Sequence, residues 1–225
     1  MLVLLVGHLL LYHPAIQRLK GIVDDGTIGR MYYLYSQRLN LGIVRQEENA
    51  LWSLAPHDVS VALHLIDSSP IQVSAFGQSF LRPDVHDVVF MNILFDDGAI
   101  AHVHVSWLDP HKTRKFTLVG SEKMAVFDDM ESSEKIRLYD KGATFGTYNK
   151  YGDFLNLRFG DIVIPTLEMT EPLVSECTHF IDSVRANRQP LSDGANGVEV
   201  VELLYAAQRS LDNAGAPVQV EGVRT

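Results

Sequence analysis

Between residues 71 and 129 five runs of strand character follow one another with no helical pattern between them: IQVSAFGQSF, HDVVFMNILF, AIAHVHVSW, RKFTLVG and MAVFDD. The Asp-Asp-Gly at 96–98 separates the second run from the third as a hairpin turn does. A series of strands this long, with helical patterns confined to the two ends of the chain, specifies one open antiparallel sheet in an α+β domain.

The flanking segments fill in the remainder. The opening MLVLLVGH is a short continuous apolar run, the signature of a strand buried on both faces. Pro14 suits a first helical turn, and Ile16, Leu19, Ile22 and Val23 recur at helical spacing, which predicts a helix over about 14–24. RMYYLYSQRL reads as a strand, NLGIVRQEENALWSLA as irregular, and PHDVSVALHLID as a helix. KIRLYD and GDIVI are weaker strands, and the polar, glycine-rich GATFGTYNKYGDFLNLRFG between them reads as a long loop. Two helices close the chain. Leu173, Val174, Cys177, Phe180, Ile181 and Val184 share a face of the first, and Val198, Val201, Leu204, Tyr205 and Leu211 a face of the second. The expected architecture is therefore α+β, an open, mainly antiparallel sheet with helices packed on one face. The other face is left for a partner subunit, which makes a homo-oligomer the expectation.

Composition narrows the partners. With a net charge of −9 over 225 residues the chain lacks the basic face that a nucleic acid requires. Its single cysteine, Cys177, rules out an internal disulfide framework and a thiolate zinc site, and fits a cytoplasmic setting. The opening run is shorter than the ~20 apolar residues of a membrane span. It also lacks the basic start and small-residue cleavage site of an export signal.

Candidate chemistry rests on histidines and cations. His102 and His104 alternate on a strand and share a face, a spacing compatible with a metal, but with no carboxylate or thiolate set nearby they read as lining a polar sheet face or a ligand pocket. His57 falls in the first turn of its expected helix, after a loop. There a side chain reaches a cleft and the helix N-terminus disfavours the protonated ring. Such a base suits alcohol oxidation, and a histidine packed against its own loop is the simpler alternative. His64, deeper in the same helix, reads as core. Arg38, Arg45, Lys112 and Arg114, with Trp52 and Trp107, offer guanidinium forks for phosphate and flat rings for stacking, or are scattered surface residues. No G-x-G-x-x-G, G-x-x-x-x-G-K-[ST] or G-x-S-x-G is present.

The ordered segments VGHLLLYHPAIQRLK, SQRLNLG, LWSLAPHDVSVALHL, HVHVSWLDPHK and VGSEKMAVFDDM resemble the Gfo/Idh/MocA oxidoreductases, and GDIVIP, EPLVSECTHFIDSVRANRQPLSDG and VVELLYAAQRSL resemble that family's tail. The nearest branch by these motifs is the bacterial dehydrogenases of nucleotide sugars of the UDP-N-acetylhexosamine type. The resemblance implies a C-terminal domain only: residues 1–12 as the last strand of a Rossmann domain that holds NAD or NADP, and 13–225 as the substrate-binding and oligomerisation domain. It implies hydride transfer from a sugar or nucleotide-sugar hydroxyl to nicotinamide, with the dinucleotide site and the family's E-K-P lysine outside this chain. His57 matches the family's catalytic histidine, the proton acceptor. Ser53, four residues earlier, stands where many members carry aspartate. Arg38, Asn40, Arg45 and Trp52 fall on the substrate-facing loop, and His104, Trp107 and Lys112 at the strand nearest the cleft. A separate Rossmann-domain polypeptide would then be needed for turnover. The alternatives are an inactive ligand-binding or oligomerisation module, or the product of a truncated gene.

Overall fold

A computed structural model describes residues 2–42, 44–148 and 152–220. The strand expected at the opening run is not there: Leu2–His8 belongs to no strand and passes the start of the last helix, where the Val6 N–H donates to the Ser192 carbonyl at 2.7 Å. A short 3-10 turn, Leu9–Tyr12, leads into α1 (Pro14–Asp24). There His13 Nδ1 accepts from the Ala15 N–H and Pro14 occupies the first turn, where its missing N–H has no bond to lose. Strand β1 (Met31–Leu39) follows, and then α2 (Ala50–Leu65). Next come β2 (Pro70–Gln78), β3 (Val88–Phe95), β4 (Ile100–Ser106), β5 (Thr113–Gly120) and β6 (Met124–Asp128). The chain continues as β7 (Ile136–Tyr148) and β8 (Gly152–Val163), with α3 (Pro172–Ala186), α4 (Gly194–Asp212) and a short β9 (Val218–Gln219) at its end.

All nine strands join one sheet in the order β8-β7-β6-β5-β1-β4-β3-β2-β9. Every pairing is antiparallel except that of β1 with β4, so β1 is inserted between β5 and β4 rather than beside a neighbour in sequence. The β3–β4 hairpin turns on Gly98 at φ +87, a left-handed position that favours glycine. Along β1, Leu34, Ser36 and Arg38 point to the helix side, and Tyr33, Tyr35 and Gln37 to the other. Leu34, Met91, Ile93, Val103, Val105 and Phe116 on the helix side are buried beneath Leu51, Ala55, Val59 and Ala62 of α2.

Three further expectations are corrected. Within the stretch 142–160 expected as a loop, residues 142–148 and 152–160 are strand, most of β7 and β8, with Lys141 opposite Phe159 and Ala143 opposite Leu157; residues 149–151 lie outside the described residues. This hairpin lies at the sheet edge, where Leu157 and Phe159 stay exposed, so no buried face imposes the alternation that marks a strand. Helix α2 begins at Ala50, not Pro56. Asn49 caps it, its Oδ1 accepting from the Trp52 N–H at 3.2 Å, and Pro56 sits inside. Third, the apolar face read on α3 points outward, and that read on α4 does so in part, with Leu204 buried. Leu173, Val174, Cys177, Phe180, Ile181 and Val184 of α3 are exposed, as are Val198, Val201 and Tyr205 of α4. Burial in α3 falls instead on Glu176 and Ser183, and in α4 on Val200, Leu203, Leu204 and Ala207.

The Asn49 cap ties α2 to α4 as well, because its Nδ2 and the Trp52 indole both donate to Gln208 Oε1. Asn49→Ala is expected to cost about 1–2 kcal/mol, the range of a lost cap with one further hydrogen bond. A urea titration checks this; an unchanged midpoint would show that the cap is dispensable.

Candidate functional site

The C-terminal end of β1, the connection into α2, the first turns of α2 and the β4–β5 connection enclose a cavity of about 570 Å³. Leu9 and Leu10 close it from the side of the opening segment, and Leu39 and Leu54 add apolar wall. Its polar lining is Arg38, Asn40, Arg45, Ser53, His57, Lys112 and Arg114, with the buried Trp107 beside them. Four cations thus meet at one cavity in a chain of net charge −9.

Each cation is held differently. Arg38 and Arg114 are directly opposite on β1 and β5, a pairing of like charges that is unfavourable unless each finds a carboxylate. Arg38 Nε donates to Asp58 Oδ2 at 2.5 Å, and the Asp58 carboxylate is fully buried on α2. Arg114 lies 3.6 Å from Asp129, which also faces Lys135 and His13. Arg45 pairs with Glu48 at 2.8 Å, with most of its side chain exposed. Among the described residues no carboxylate lies within ion-pair reach of Lys112.

His57 is half-buried at this site. Burial holds its imidazole below the ordinary value of 6.5; the Arg38 and Arg114 charges push the same way, against Asp58. The ring is therefore neutral at pH 7, as a proton acceptor must be. The cause differs from the one expected. His57 lies two turns into α2 rather than in its first turn, so desolvation and the neighbouring guanidiniums, not the helix N-terminus, keep it uncharged.

Of the nine residues that the resemblance places at the site, the cavity gathers seven: Arg38, Asn40, Arg45, Ser53, His57, Trp107 and Lys112; Arg114, also singled out from sequence, lines it with them. Two lie elsewhere. Trp52 points its indole at Gln208 of α4, away from the cavity. His104 sits on the far face of the sheet, stacked on Phe90 with ring centroids 4.3 Å apart, because the two-residue repeat of β4 puts it opposite Val103 and Val105. His102 shares that face, its Nδ1 2.8 Å from Asn92 Oδ1. Ser53 lines the cavity without orienting the imidazole, since His57 Nδ1 is buried with no hydrogen-bond partner among the described residues. His64 lies off the cavity, its pKa lowered by burial to about 4.

Two nearby groups carried no signal in the sequence. Asp58 directly follows His57, yet its alignment with Arg38 depends on the packing of α2 over β1. His8 is buried near His57, and burial together with that ring lowers its pKa to about 4. No local pattern marks either one.

Residues 16–126 match the model of the GFO/IDH/MocA C-terminal domain. Over residues 16–126 the chain thus carries a domain of the Gfo/Idh/MocA C-terminal type. It is 24% identical over 201 residues to UDP-N-acetylglucosamine 3-dehydrogenase of Acidithiobacillus ferrooxidans, covering 89% of this chain and 59% of that protein. An uncharacterised oxidoreductase of Bacillus subtilis, YrbE, is 22% identical over 221 residues, 93% of this chain and 61% of that one. The chain thus spans about three fifths of the length of these relatives. The solved structure of the Acidithiobacillus enzyme superposes with a TM-score of 0.74 at 23% identity, over 94% of this chain and 63% of that one. An inositol dehydrogenase homologue of Azotobacter vinelandii, complexed with NADH and myo-inositol, gives 0.71 at 15% identity over 96% and 64%. These likenesses establish the fold, an open sheet of the Gfo/Idh/MocA C-terminal type.

A Rossmann-type dinucleotide site does not fit the residues described. Such a site holds its pyrophosphate on a glycine-rich turn between a strand and a helix beside a parallel neighbour. The β1–α2 connection is the one such place among the described residues, and it offers Gly42 and no G-x-G-x-x-G. No group of three or more histidine, cysteine or acidic side chains is gathered for a metal among the described residues. No helix there is long and apolar enough to cross a membrane.

Proposed function

We propose that this chain is the substrate-binding part of an oxidoreductase acting on a hydroxyl of a nucleotide sugar, with NAD(P) held by a domain outside these residues. The observation that carries this is a half-buried His57, its imidazole held below the ordinary value by burial and by the neighbouring guanidiniums, at a cavity lined by four cations. The imidazole accepts the proton that leaves a sugar hydroxyl as it is oxidised, and the cations take the phosphates. Arg38 and Arg114 together favour a neutral ring before the reaction. Trp107 and the leucines give the sugar an apolar wall. A relative at 24% identity is named for a UDP-N-acetylglucosamine 3-dehydrogenase, which supports this substrate class. We also propose the open sheet face, where Tyr33, Phe76, Phe90 and Ile100 remain exposed, as the contact between copies of the chain.

Calorimetric titration of the chain tests the substrate class. UDP-N-acetylglucosamine is expected to bind about tenfold or more tightly than N-acetylglucosamine, a difference of about 1.4 kcal/mol. Lys112→Ala should erode that advantage, and raising the salt should shrink it by screening exposed charges. Equal affinity for the two ligands would remove the basis for a nucleotide-sugar substrate.

A further inference from the structure

We propose that Asp58 is a positioning residue of this site: it grips Arg38 at Nε alone, so that the terminal nitrogens of the guanidinium are presented to the cavity as the arm that meets an anionic group of the ligand. The inference rests on the substrate class proposed above and adds to it the device that aims its cation.

The geometry of the pair is the main support. Arg38 and a carboxylate can form a two-pronged contact in which both carboxylate oxygens accept, and that arrangement consumes a terminal nitrogen. It is absent here. Asp58 Oδ2 accepts from Nε at 2.5 Å, while Oδ1 is buried without a hydrogen-bond partner among the described residues. A guanidinium has five N–H donors and Nε carries one of them, so the Asp58 contact leaves the four terminal N–H groups uncommitted to it. Arg38 is itself 9% exposed and lines the cavity.

Stability is a poor explanation for such a pair. A buried ion pair seldom outperforms apolar residues of the same volume, and one with an unsatisfied oxygen does worse. Its location makes better sense as alignment. Asp58 is rigid on α2 next to His57, and Arg38 is rigid on β1, so one contact sets the cation relative to the base. The charged and titratable groups bearing on His57 are Arg38 from β1, Arg114 from β5, Asp58 from α2 and His8 from the opening segment. Of these Asp58 alone favours the protonated ring.

Asp58→Asn keeps the shape and an acceptor but removes the charge. Two readouts on the full chain separate alignment from a merely structural strut. In NMR titration of the His57 ring proton, the variant is expected to titrate at lower pH than the wild type. In calorimetry with UDP-N-acetylglucosamine, it should bind about tenfold more weakly, the scale of a misdirected charge-assisted hydrogen bond. In an Arg38→Lys background, Asp58→Asn should add little further loss of affinity, since Asp58 acts through Arg38. A folded Asp58→Asn that titrates and binds as the wild type does overturns the proposal, as does full additivity with Arg38→Lys. Should Asp58→Asn fail to fold, Arg38→Lys alone decides: it keeps a cation against Asp58 but has no fork to aim. Weaker binding then supports the proposal and undiminished binding overturns it. If the wild-type chain does not bind the nucleotide sugar at all, the substrate reading fails, and the His57 titration still judges Asp58.

Discussion

Arg38→Ala is expected to destabilise the chain by about 3–5 kcal/mol, the cost of leaving a buried charge without its partner. Asp58 is completely buried between α2 and the sheet, and Arg38 is the cation in its reach. Truncating the arginine strips the carboxylate of its counter-charge and its hydrogen bond together. The loss should appear in urea denaturation as a lower midpoint with an unchanged slope, because the surface exposed on unfolding is the same. Replacing both members, Arg38→Met with Asp58→Leu, should recover most of it by removing the charge from the interior altogether. A loss below about 1 kcal/mol for Arg38→Ala would place Asp58 in contact with solvent or with another donor, contrary to the structure.

The second large effect concerns His57. In the intact enzyme, with its nucleotide-binding domain present, His57→Asn should lower turnover by about 10²–10⁴-fold, the usual contribution of a positioned general base, while changing substrate affinity little. Asparagine occupies similar space but accepts no proton. The pH profile gives an independent check. The half-buried ring is held below 6.5, so the wild-type rate should stay level as pH falls to that value and decline only at more acid pH, as the base becomes protonated. A break at or above 6.5 would show that another group limits the reaction, and a His57→Asn enzyme of near-normal turnover would move the proton to a different acceptor.

Much of this site was legible before any coordinates, and the reasons are specific. The strands from β2 to β6 are short, alternate in polarity and follow one another, so local pattern alone arranges them. Seven of the nine side chains that the resemblance places at the site share the cavity because they cluster at the end of β1, at the start of α2 and at the β4–β5 turn. The failures also have physical causes. Pro56 suggests a helix start, yet α2 begins at the Asn49 cap two turns earlier and carries Pro56 in its interior, at the loss of one backbone hydrogen bond. His104 lies off the cavity because the sequence gives the period of β4 but not which of its faces meets α2. The apolar stripe of α3 is exposed for a related reason: amphipathic spacing says that a face exists, and only packing says what it meets. Asp58 escaped notice because its meaning lies in a contact across 20 residues of sequence.

The placement of β1 also sets an order of events. Both of its neighbours in the sheet, β4 and β5, lie more than 60 residues further along the chain. During synthesis from the N-terminus the β2–β3–β4 meander can form by local hairpin closure, which is fast. β1 must wait with two unpaired edges until β4 offers it a parallel partner and β5 closes over the other side. Arg38 is on that strand, so the cavity, the Asp58 contact and the base beside it are assembled in one late, non-local step. The site is therefore a reporter of completed folding: a chain that has not threaded β1 between β4 and β5 has a sheet but no place for a ligand.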